Sequence, residues 1–314
     1  MKKIKVCFIG FGSIAKRHIV NLTQICQEQK IEVTIDVCRS GVNRGLDPEF
    51  REMIQSVYYG IENIPDDYDI AFVTNPTKYH FDTLVKMKKK ARNFFIEKPV
   101  FDRDDLEFGQ IGLSCNGIYY VACPLRYKNV IQYLKKNIDF SKIYSIRSIS
   151  SSYLPDWRPG TDYRATYSAH KELGGGVAID LVHEWDYLTY LIGMPDKVYH
   201  LMGKLSNLEI NSEDLAVYIA EYKDKYVELH LDYFGRETIR KVELYGQDDT
   251  VVCDLIANEI NYLKEGKKIS FTEERNDYQK RELWTFLAMI DGREANSNDV
   301  KNACQILKLA KGKI

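Results

Sequence analysis

The first residues that could do chemistry form a glycine pattern behind a short apolar run. Gly10, Gly12 and Ala15 fit the spacing G-x-G-x-x-A, between a strand-like stretch and a helix-periodic one. The first glycine allows a tight turn, the second lets a pyrophosphate approach the backbone, and Ala15 allows close packing of helix on strand. The helix that follows offers unpaired N–H groups to an anion. The pattern predicts a dinucleotide site formed by Gly10, Phe11, Gly12, Ser13 and Ile14.

The end of the second apolar run decides which dinucleotide is preferred. An acid there would bind the ribose 2′-OH of NAD, whereas an arginine would accept the 2′-phosphate of NADP. The alternation of apolar residues extends this strand through Val37, so Asp36 lies inside the strand, and Arg39 and Ser40 occupy the deciding position. The sequence therefore favours NADP over NAD.

A third block, Glu97-Lys98-Pro99, ends another apolar strand. Ligands bind at the carboxyl ends of the strands in doubly wound sheets, and Pro99 disfavours a helical backbone at Lys98. A lysine at this place can donate a proton to a substrate oxygen or accept one from it. The alternative is a solvated Lys-Pro pair at a strand end.

A fourth block begins at Gly174-Gly175-Gly176 and continues into a predicted helix, Val177–Ile192. On this helix Asp180 and His183 are three residues apart and would share a face. A carboxylate beside an imidazole fixes the tautomer and raises the basicity of the ring, as proton transfer requires. The alternative is that His183 is a buried, hydrogen-bonded helix histidine.

The loop from Tyr153 to Leu173 is rich in aromatic and guanidinium groups. Arginine binds phosphate or carboxylate through two parallel hydrogen bonds, and aromatic faces stack on sugar rings. The alternative is a domain-interface loop whose arginines pair with Asp156 and Asp162. The candidate substrate contacts in and near this loop are Arg126, Tyr153, Trp157, Arg158, Tyr163 and Arg164.

Two kinds of domain are needed to position these blocks. Up to residue 122, apolar strands alternate with helical patterns, which is typical of a parallel α/β sheet. From residue 123 onward, consecutive strands with short polar turns indicate an α+β domain with an open, mainly antiparallel sheet. The predicted strands of the first domain are Ile4–Ile9, Ile31–Val37, Ile70–Val73, Asn93–Ile96 and Ile118–Ala122, and its helices include Ile14–Gln27 and Thr77–Lys90. In the second domain, 123–314, we predict strands at Ile143–Ser151, Leu215–Tyr222, Tyr226–Tyr233 and Thr238–Tyr245, and helices at Asn129–Asn137, Tyr278–Ile290 and Asn298–Leu309.

The composition excludes several classes of function. A chain of 314 residues with 45% hydrophobic and 28% charged residues is globular, and its formal net charge of -1 gives no general attraction to nucleic acid or membrane. Seven singly spaced cysteines predict reduced thiols in a cytoplasmic protein. The sequence H-E-W-D-Y at His183 lacks the second histidine of a zinc protease, and no other His/Cys cluster has metal-ligand spacing, so we expect no metal.

Four motifs of the sequence, taken together, resemble those of the glucose–fructose oxidoreductase / inositol dehydrogenase / MocA family. The resemblance covers nearly the whole chain in order and spacing. It is carried by Gly10–Ala15, Val73-Thr74-Asn75-Pro76 with His80, Glu97-Lys98-Pro99, and Gly174–Gly176 leading into Asp180 and His183. In many family members the acid and the histidine are four residues apart rather than three, and Glu184 occupies that fourth position here.

The resemblance implies an N-terminal Rossmann domain, a C-terminal sheet that carries the substrate site, and a homo-oligomer. It implies that Lys98 is the catalytic lysine, with His183 and Asp180 as proton-transfer partners, and that Thr74, Asn75, His80 and Glu97 line the cofactor site. The expected activity is hydride transfer to or from a sugar-like substrate. The loop resembles that of family members linked to bacterial surface-polysaccharide biosynthesis, and this resemblance implies an anionic or nucleotide-activated sugar. A glycosidase that uses tightly held NAD for redox-elimination is the first alternative, and a non-catalytic sensor of the same fold is the second.

Overall fold

The computed structural model describes residues 2–41, 45–106 and 108–313. The chain forms two compact units, of which the first comprises the residues up to Ala122 together with Arg275–Cys304. The second comprises Cys123–Glu274 and the residues from Gln305 onward. The chain leaves the first unit after Ala122 and returns to it over Arg275–Cys304, whereas the sequence suggested one continuous second domain, 123–314.

The first unit is built on a six-stranded sheet whose pairings are all parallel, in the order β3-β2-β1-β4-β5-β6. The strand order reverses between β1 and β4, which makes this a doubly wound Rossmann sheet with its switch point beside β1. The strands are β1 (Lys3–Ile9), β2 (Glu32–Arg39), β3 (Ser56–Tyr59), β4 (Tyr68–Val73), β5 (Ala91–Ile96) and β6 (Tyr119–Val121). The sequence predicted all of these strands except β3.

The helices of this unit cover the sheet. They are α1 (Ser13–Glu28), α2 (His80–Met87), α3 (Phe108–Ile111), α7 (Arg275–Ile290) and the first part of α8 (Val300–Ala310). The predicted helix Thr77–Lys90 is shorter, because a 3-10 turn over Thr77–Tyr79 follows Pro76 and α2 ends at Met87.

An aromatic cluster explains why α7 belongs to the first unit. The rings of Phe8 and Phe72 stack at 4.3 Å between centroids, and Phe95 lies 5.2 Å from Phe72. Phe286 of α7 packs edge-on against Phe72 and Phe95, at 6.2 and 5.3 Å. This apolar burial over a large sequence separation holds α7 against the parallel sheet.

The second unit contains an eight-stranded sheet in the order β14-β13-β12-β11-β7-β10-β9-β8. Its pairings are antiparallel except that β7 and β10 run parallel. The strands are β7 (Ile143–Tyr153), β8 (Lys197–Gly203), β9 (Leu215–Glu221), β10 (Tyr226–Asp232), β11 (Phe234–Gly246), β12 (Thr250–Asp254), β13 (Glu259–Tyr262) and β14 (Lys267–Ser270). The mainly antiparallel sheet that the sequence predicted is confirmed.

The helices of the second unit are α4 (Asn129–Asn137), α5 (Val177–Asp180), α6 (His183–Ile192) and the last part of α8, from Gln305 onward. The single helix predicted over Val177–Ile192 is wrong, because the backbone leaves the helical region at Leu181, with φ -97° and ψ 25°. Asp180 therefore ends one helix and His183 begins the next. The prediction that Asp180 and His183 share one face of a single helix is therefore wrong as well.

Six of the seven cysteines are buried, and Cys115 is exposed. In the described part of the chain, no helix has the length and apolarity needed to cross a bilayer.

Candidate functional site

The glycine loop lies where the chain passes from β1 into α1. Gly10 has φ +102°, and a Cβ on it would come within 2.7 Å of the Asn75 nitrogen, so only glycine fits. A Cβ on Gly12 would meet no atom within 4 Å, which leaves open space in front of α1. Since no side chain caps the start of α1, its first N–H groups are available to an anion.

The loop after β4 packs directly against the glycine loop. The Thr74 hydroxyl donates to the carbonyls of Ile9 and Gly10, at 3.1 and 3.2 Å. The Asn75 side-chain amide donates to the Thr83 hydroxyl at 2.8 Å. Thr74 and Asn75 therefore lie at the switch point, as expected of residues that line a dinucleotide site.

His80 lies deeper than a cofactor contact would. Its ring is 1% exposed, with Nε2 2.9 Å from the Asn75 carbonyl and Nδ1 3.1 Å from the Val100 carbonyl. Burial lowers the pKa of His80 despite these two carbonyls and the nearby Glu97 carboxylate. The ring thus links the loop after β4 to the loop after β5, and its role at the cofactor stays a prediction.

The end of β2 places Arg39 beside the glycine loop. β2 ends at Arg39, whose guanidinium carbon lies 5.3 Å from the centroid of the Phe11 ring. Asp36 is buried within the strand and accepts a hydrogen bond from the Tyr68 hydroxyl at 2.6 Å. With Asp36 occupied in this way, Arg39 and Ser40 stand at the place where a ribose-binding residue is expected.

Glu97 and Lys98 follow β5 at the same edge of the sheet. Glu97 Oε1 lies 2.6 Å from His18 Nε2, and Glu97 Oε2 accepts from the Lys98 backbone N–H at 3.3 Å. Burial by itself would raise the pKa of Glu97, but the hydrogen bond and charge of His18 and the charge of Lys98 outweigh it and lower that pKa. Lys98 is half-buried, and the peptide bond between it and Pro99 is cis.

In the second unit, Asp180 is surrounded by tyrosines. It is 4% exposed, and its Oδ2 accepts from the Tyr233 hydroxyl at 2.5 Å. Burial, and then the Asp180 charge, raise the pKa of Tyr233 and of Tyr167, so both hydroxyls keep their protons and can donate. His183, at the start of α6, is half-buried.

A second carboxylate, Glu213, lies near this cluster. It occupies the space in which a Cβ on Gly176 would stand, which explains the glycine that precedes α5, with φ 135°. Burial raises the pKa of Glu213, and the Asp180 charge adds to the rise. An acid with a raised pKa beside a tyrosine-bound carboxylate is an arrangement that can hold or move a proton.

Part of the aromatic loop packs on the Asp180 cluster. The Trp157 indole N–H donates to the Ser152 hydroxyl at 2.9 Å, and its ring meets Tyr233 edge-on at 5.2 Å. The Arg158 guanidinium carbon lies 6.0 Å from the centroid of the Tyr167 ring. A pocket here is lined by Leu154, Pro155, Trp157, Arg158, Thr161, Tyr163, Thr166 and Ser168. Trp157, Arg158 and Tyr163, three of the six expected substrate contacts, thus come together.

The structure gives the other three expected contacts different partners. Arg126 is 3% exposed and forms two hydrogen bonds with Asp186, from Nε at 2.9 Å and from Nη2 at 2.7 Å. Arg164 is exposed and pairs with Asp162 and Glu209, each at 3.0 Å. The Tyr153 ring is covered by the Arg236 guanidinium, 3.9 Å from its centroid. For Arg164 the pairing with Asp162, stated as the alternative, is the one observed.

The sequence prediction missed Tyr167, Tyr233 and Glu213. Tyr233 could have been found, since it continues the buried alternation of Val227, Leu229 and Leu231 onto the inner face of the sheet. Tyr167 and Glu213 carry no local signal, because folding alone brings them to Asp180. Among the residues that the structure describes, no group of three His, Cys, Asp or Glu side chains is arranged to hold a metal ion.

Comparison with family profiles now decides the class. Residues 4–107 match the oxidoreductase family with an NAD-binding Rossmann fold, and residues 131–252 match the GFO/IDH/MocA C-terminal domain. The chain belongs to the Gfo/Idh/MocA family. It is therefore an enzyme of a dinucleotide-dependent oxidoreductase family, as the motifs predicted. No curated protein matches the chain.

Solved structures with the same fold span the whole chain at low identity. WlbA dehydrogenase from Bordetella pertussis, solved with NADH and UDP-GlcNAcA, is 18% identical with a TM-score of 0.76, over 99% of this chain and 95% of that one. UDP-N-acetylglucosamine 3-dehydrogenase GnnA from Acidithiobacillus ferrooxidans is 18% identical with a TM-score of 0.77, over 100% and 97%. A levoglucosan dehydrogenase, solved with NADH and levoglucosan, is 14% identical with a TM-score of 0.81, over 99% and 96%.

Proposed function

We propose that this protein transfers a hydride between NADP and a hydroxyl-bearing carbon of a sugar-like substrate, and that Lys98 moves the hydroxyl proton. The observation that carries the proposal is the position of Lys98 at the carboxyl end of β5. The neighbouring strand, β4, is followed directly by Thr74 and Asn75, which pack against the glycine loop. In doubly wound sheets this edge faces the bound ligand.

The residues of the first unit fit a dinucleotide. The open space at Gly12 and the uncapped start of α1 suit a pyrophosphate. A bound nicotinamide supplies the site that accepts or gives the hydride. The chain itself supplies orientation through Thr74 and Asn75, and a proton carrier through the Lys98 amine. During oxidation the amine accepts the hydroxyl proton, and during reduction it returns that proton.

The second unit contributes further proton-transfer groups under this proposal. Asp180 and His183 are assigned to proton transfer together with Lys98, which stays a prediction. It is supported by the Tyr233 hydroxyl, which donates to Asp180 Oδ2 and so holds this carboxyl group in one place. A further candidate to hold a proton is Glu213, whose pKa is raised by burial.

The preference for NADP over NAD follows from Arg39 at the end of β2. Replacing it by alanine removes a charge-assisted contact to the 2′-phosphate, so the Kd of NADPH should rise about 10- to 100-fold. The Kd of NADH should change less than about threefold, since no 2′-phosphate is present. Fluorescence titration of both dinucleotides measures this, with Arg92→Ala, an exposed arginine in β5, as the control. Tighter binding of NADH than of NADPH by the unchanged protein would contradict the preference and leave the reaction class standing.

The substrate class is supported by the pocket that Trp157 and Arg158 help to line. Trp157 offers an aromatic face, and Arg158 is exposed at the rim of that pocket. A planar guanidinium suits a carboxylate or a phosphate. The substrate we propose is an anionic sugar of the nucleotide-linked kind, in keeping with the nucleotide sugars named for WlbA and GnnA.

We further propose a homo-oligomer in the cytoplasm. The outer face of the eight-stranded sheet exposes large apolar side chains on adjacent strands, among them Tyr199, Leu201, Ile219 and Tyr226. Exposed apolar patches of this kind are typical of protein interfaces. Light scattering with size-exclusion chromatography tests this, and Leu201→Asp should shift the protein towards the monomer. The mostly buried, singly spaced thiols support the cytoplasm as its location.

The experiment that tests the reaction class is absorbance at the reduced-nicotinamide band. NADP and NAD are each offered with polyols, sugar acids and nucleotide sugars. We expect turnover with at least one sugar-like compound. Tight dinucleotide binding without bulk turnover would move the assignment to the redox-elimination glycosidase.

A further inference from the structure

His18 of α1 is a buried histidine that the dinucleotide site does not use directly. It is 1% exposed, and its Nε2 lies 2.6 Å from Glu97 Oε1. α1 is the helix that starts at the glycine loop, while Glu97 immediately precedes Lys98 on another strand end. One hydrogen bond therefore links the helix expected to receive the pyrophosphate to the segment that carries the lysine.

The ring of His18 is held in a fixed place by aromatic neighbours. Its centroid lies 5.0 Å from that of Phe95, with 66° between the planes, and 6.2 Å from that of Phe72. Among the described residues His18 Nδ1 has no hydrogen-bond partner. An apolar ring would fill the same space without that unsatisfied nitrogen, so packing alone does not account for a histidine here.

Glu97 is held by both of its oxygens. Oε1 is bound by His18, and Oε2 accepts from the Lys98 backbone N–H at 3.3 Å. The pKa of Glu97 is lowered because the His18 hydrogen bond and the nearby charges outweigh its burial. A charged and immobilised carboxylate next to Lys98 fixes both the backbone and the local field of that lysine.

We propose that His18 is a positioning residue for the reaction: it holds the Glu97 carboxylate, and through that carboxylate it sets the position and reactivity of the Lys98 amine. The proposal rests on the proposed role of Lys98. It differs from a purely structural role, because loss of the imidazole changes Lys98 in a protein that remains folded.

The primary test measures the amine itself, without any substrate. The whole protein is labelled with trace acetic anhydride, and the rate for Lys98 is compared by mass spectrometry with that for the exposed Lys136. We expect His18→Phe, which keeps a ring but removes the hydrogen bond, to change the relative rate at Lys98 by more than about threefold. His18→Gln, which can still donate to Glu97, should restore most of the difference.

Leu22→Ala is the matched control, since Leu22 is buried on the same helix one turn further on. It should destabilise the protein and leave the Lys98 labelling rate unchanged. An unchanged rate at Lys98 in a folded His18→Phe protein would overturn the proposal. If His18→Phe does not fold, Glu97→Gln tests the same link from the other side, and an unchanged Lys98 rate there has the same meaning.

Kinetics separate this inference from the proposed function. In His18→Phe we expect kcat to fall about 10- to 100-fold while the KM for NADP stays within about threefold. Full turnover by Lys98→Met would refute the proposed function and leave the labelling result to decide the role of His18. Loss of turnover in Lys98→Met together with normal kcat and normal labelling in His18→Phe would refute the inference alone.

Discussion

The Tyr233 hydroxyl donates to Asp180 Oδ2 at 2.5 Å, and both side chains are buried. Tyr233 follows β10 and Asp180 ends α5, so this bond joins the eight-stranded sheet to the segment that leads into His183. Because burial raises the pKa of Tyr233, the phenol stays the donor across the pH range of an assay. Asp180 Oδ2 is the acceptor in this bond.

Tyr233→Phe should lower kcat about 10-fold or more, because a hydrogen bond to a charged group contributes about 1.5–3 kcal/mol. Tyr218→Phe is the matched control. Tyr218 is equally buried in the same unit, but its hydroxyl donates at 2.6 Å to the Ala310 carbonyl. We expect that variant to lose about 1 kcal/mol in the free energy of unfolding and to keep its turnover. Equal kinetic effects of the two substitutions would show that the Tyr233 hydroxyl has no special role.

Arg126→Leu tests whether this arginine is structural. Removing it leaves Asp186 buried without its ion-pair partner, so the free energy of unfolding should fall by about 3–5 kcal/mol. The double variant Arg126→Leu/Asp186→Leu should recover most of that loss, since no charge is left unpaired. Urea denaturation of the three proteins gives the values. Unchanged stability with a raised substrate KM in Arg126→Leu would restore the substrate contact that the sequence suggested.

Gly12→Ala and Gly10→Ala should separate binding from folding. The added methyl at position 12 meets nothing within the protein, so Gly12→Ala should fold normally but weaken NADPH binding at least about 10-fold by filling the space expected for the pyrophosphate. At position 10 the backbone has φ +102° and the methyl would meet Asn75, so Gly10→Ala should be destabilised by about 1–3 kcal/mol. Calorimetry and fluorescence titration measure the two effects. Normal NADPH affinity in Gly12→Ala would argue against the loop as the dinucleotide site.

The buried Asp214 should make the stability of the folded protein sensitive to acid. It is fully buried, and its oxygens accept from the backbone of Leu205 and from the backbone and hydroxyl of Ser206, at 2.6–3.0 Å. Burial favours a higher pKa, but these donors and Lys204 outweigh it and lower the pKa of Asp214 below 3.8. The unfolded chain then binds the proton more tightly, so this stabilisation is present above 3.8 and is lost as the pH falls through the folded pKa.

In Asp214→Asn the free energy of unfolding should therefore fall less steeply as the pH is lowered. Urea denaturation between about pH 3 and 6 measures this dependence. Asp248→Asn, at an exposed carboxylate paired with Lys142, is the control that should leave this dependence unchanged. If the free energy of unfolding falls equally steeply with decreasing pH in Asp214→Asn and in the unchanged protein, Asp214 is not the source of the acid sensitivity.

The sequence predicted correctly those elements whose residues are close together along the chain. The apolar runs at β1, β4 and β5, the turn at Gly10 and the helix α4 follow from residues that are neighbours in sequence. The short edge strand β3 was not predicted, because all four of its residues are only half-buried and it lacks a long apolar run. The break in the helix at Leu181 was not predicted, because apolar residues keep a helical period on both sides of it.

Long-range partners were beyond a single sequence. Arg126 and Asp186 are 60 residues apart, and His18 and Glu97 are 79 apart. No periodicity pairs such residues, and only the packing of the folded chain decides whether an arginine meets a substrate or a buried acid. The family motifs indicated Lys98, but the groups that hold it became visible only in three dimensions.

Turnover by Lys98→Met, followed at the reduced-nicotinamide band, tests the central claim most directly. Lys5→Met, at the amino end of the central strand β1, is the charge-matched control. The proposed mechanism predicts that kcat of Lys98→Met falls about 10²- to 10⁴-fold while the Kd of NADPH stays within about threefold, and that Lys5→Met behaves like the unchanged protein. Near-normal turnover by Lys98→Met on the true substrate would contradict it.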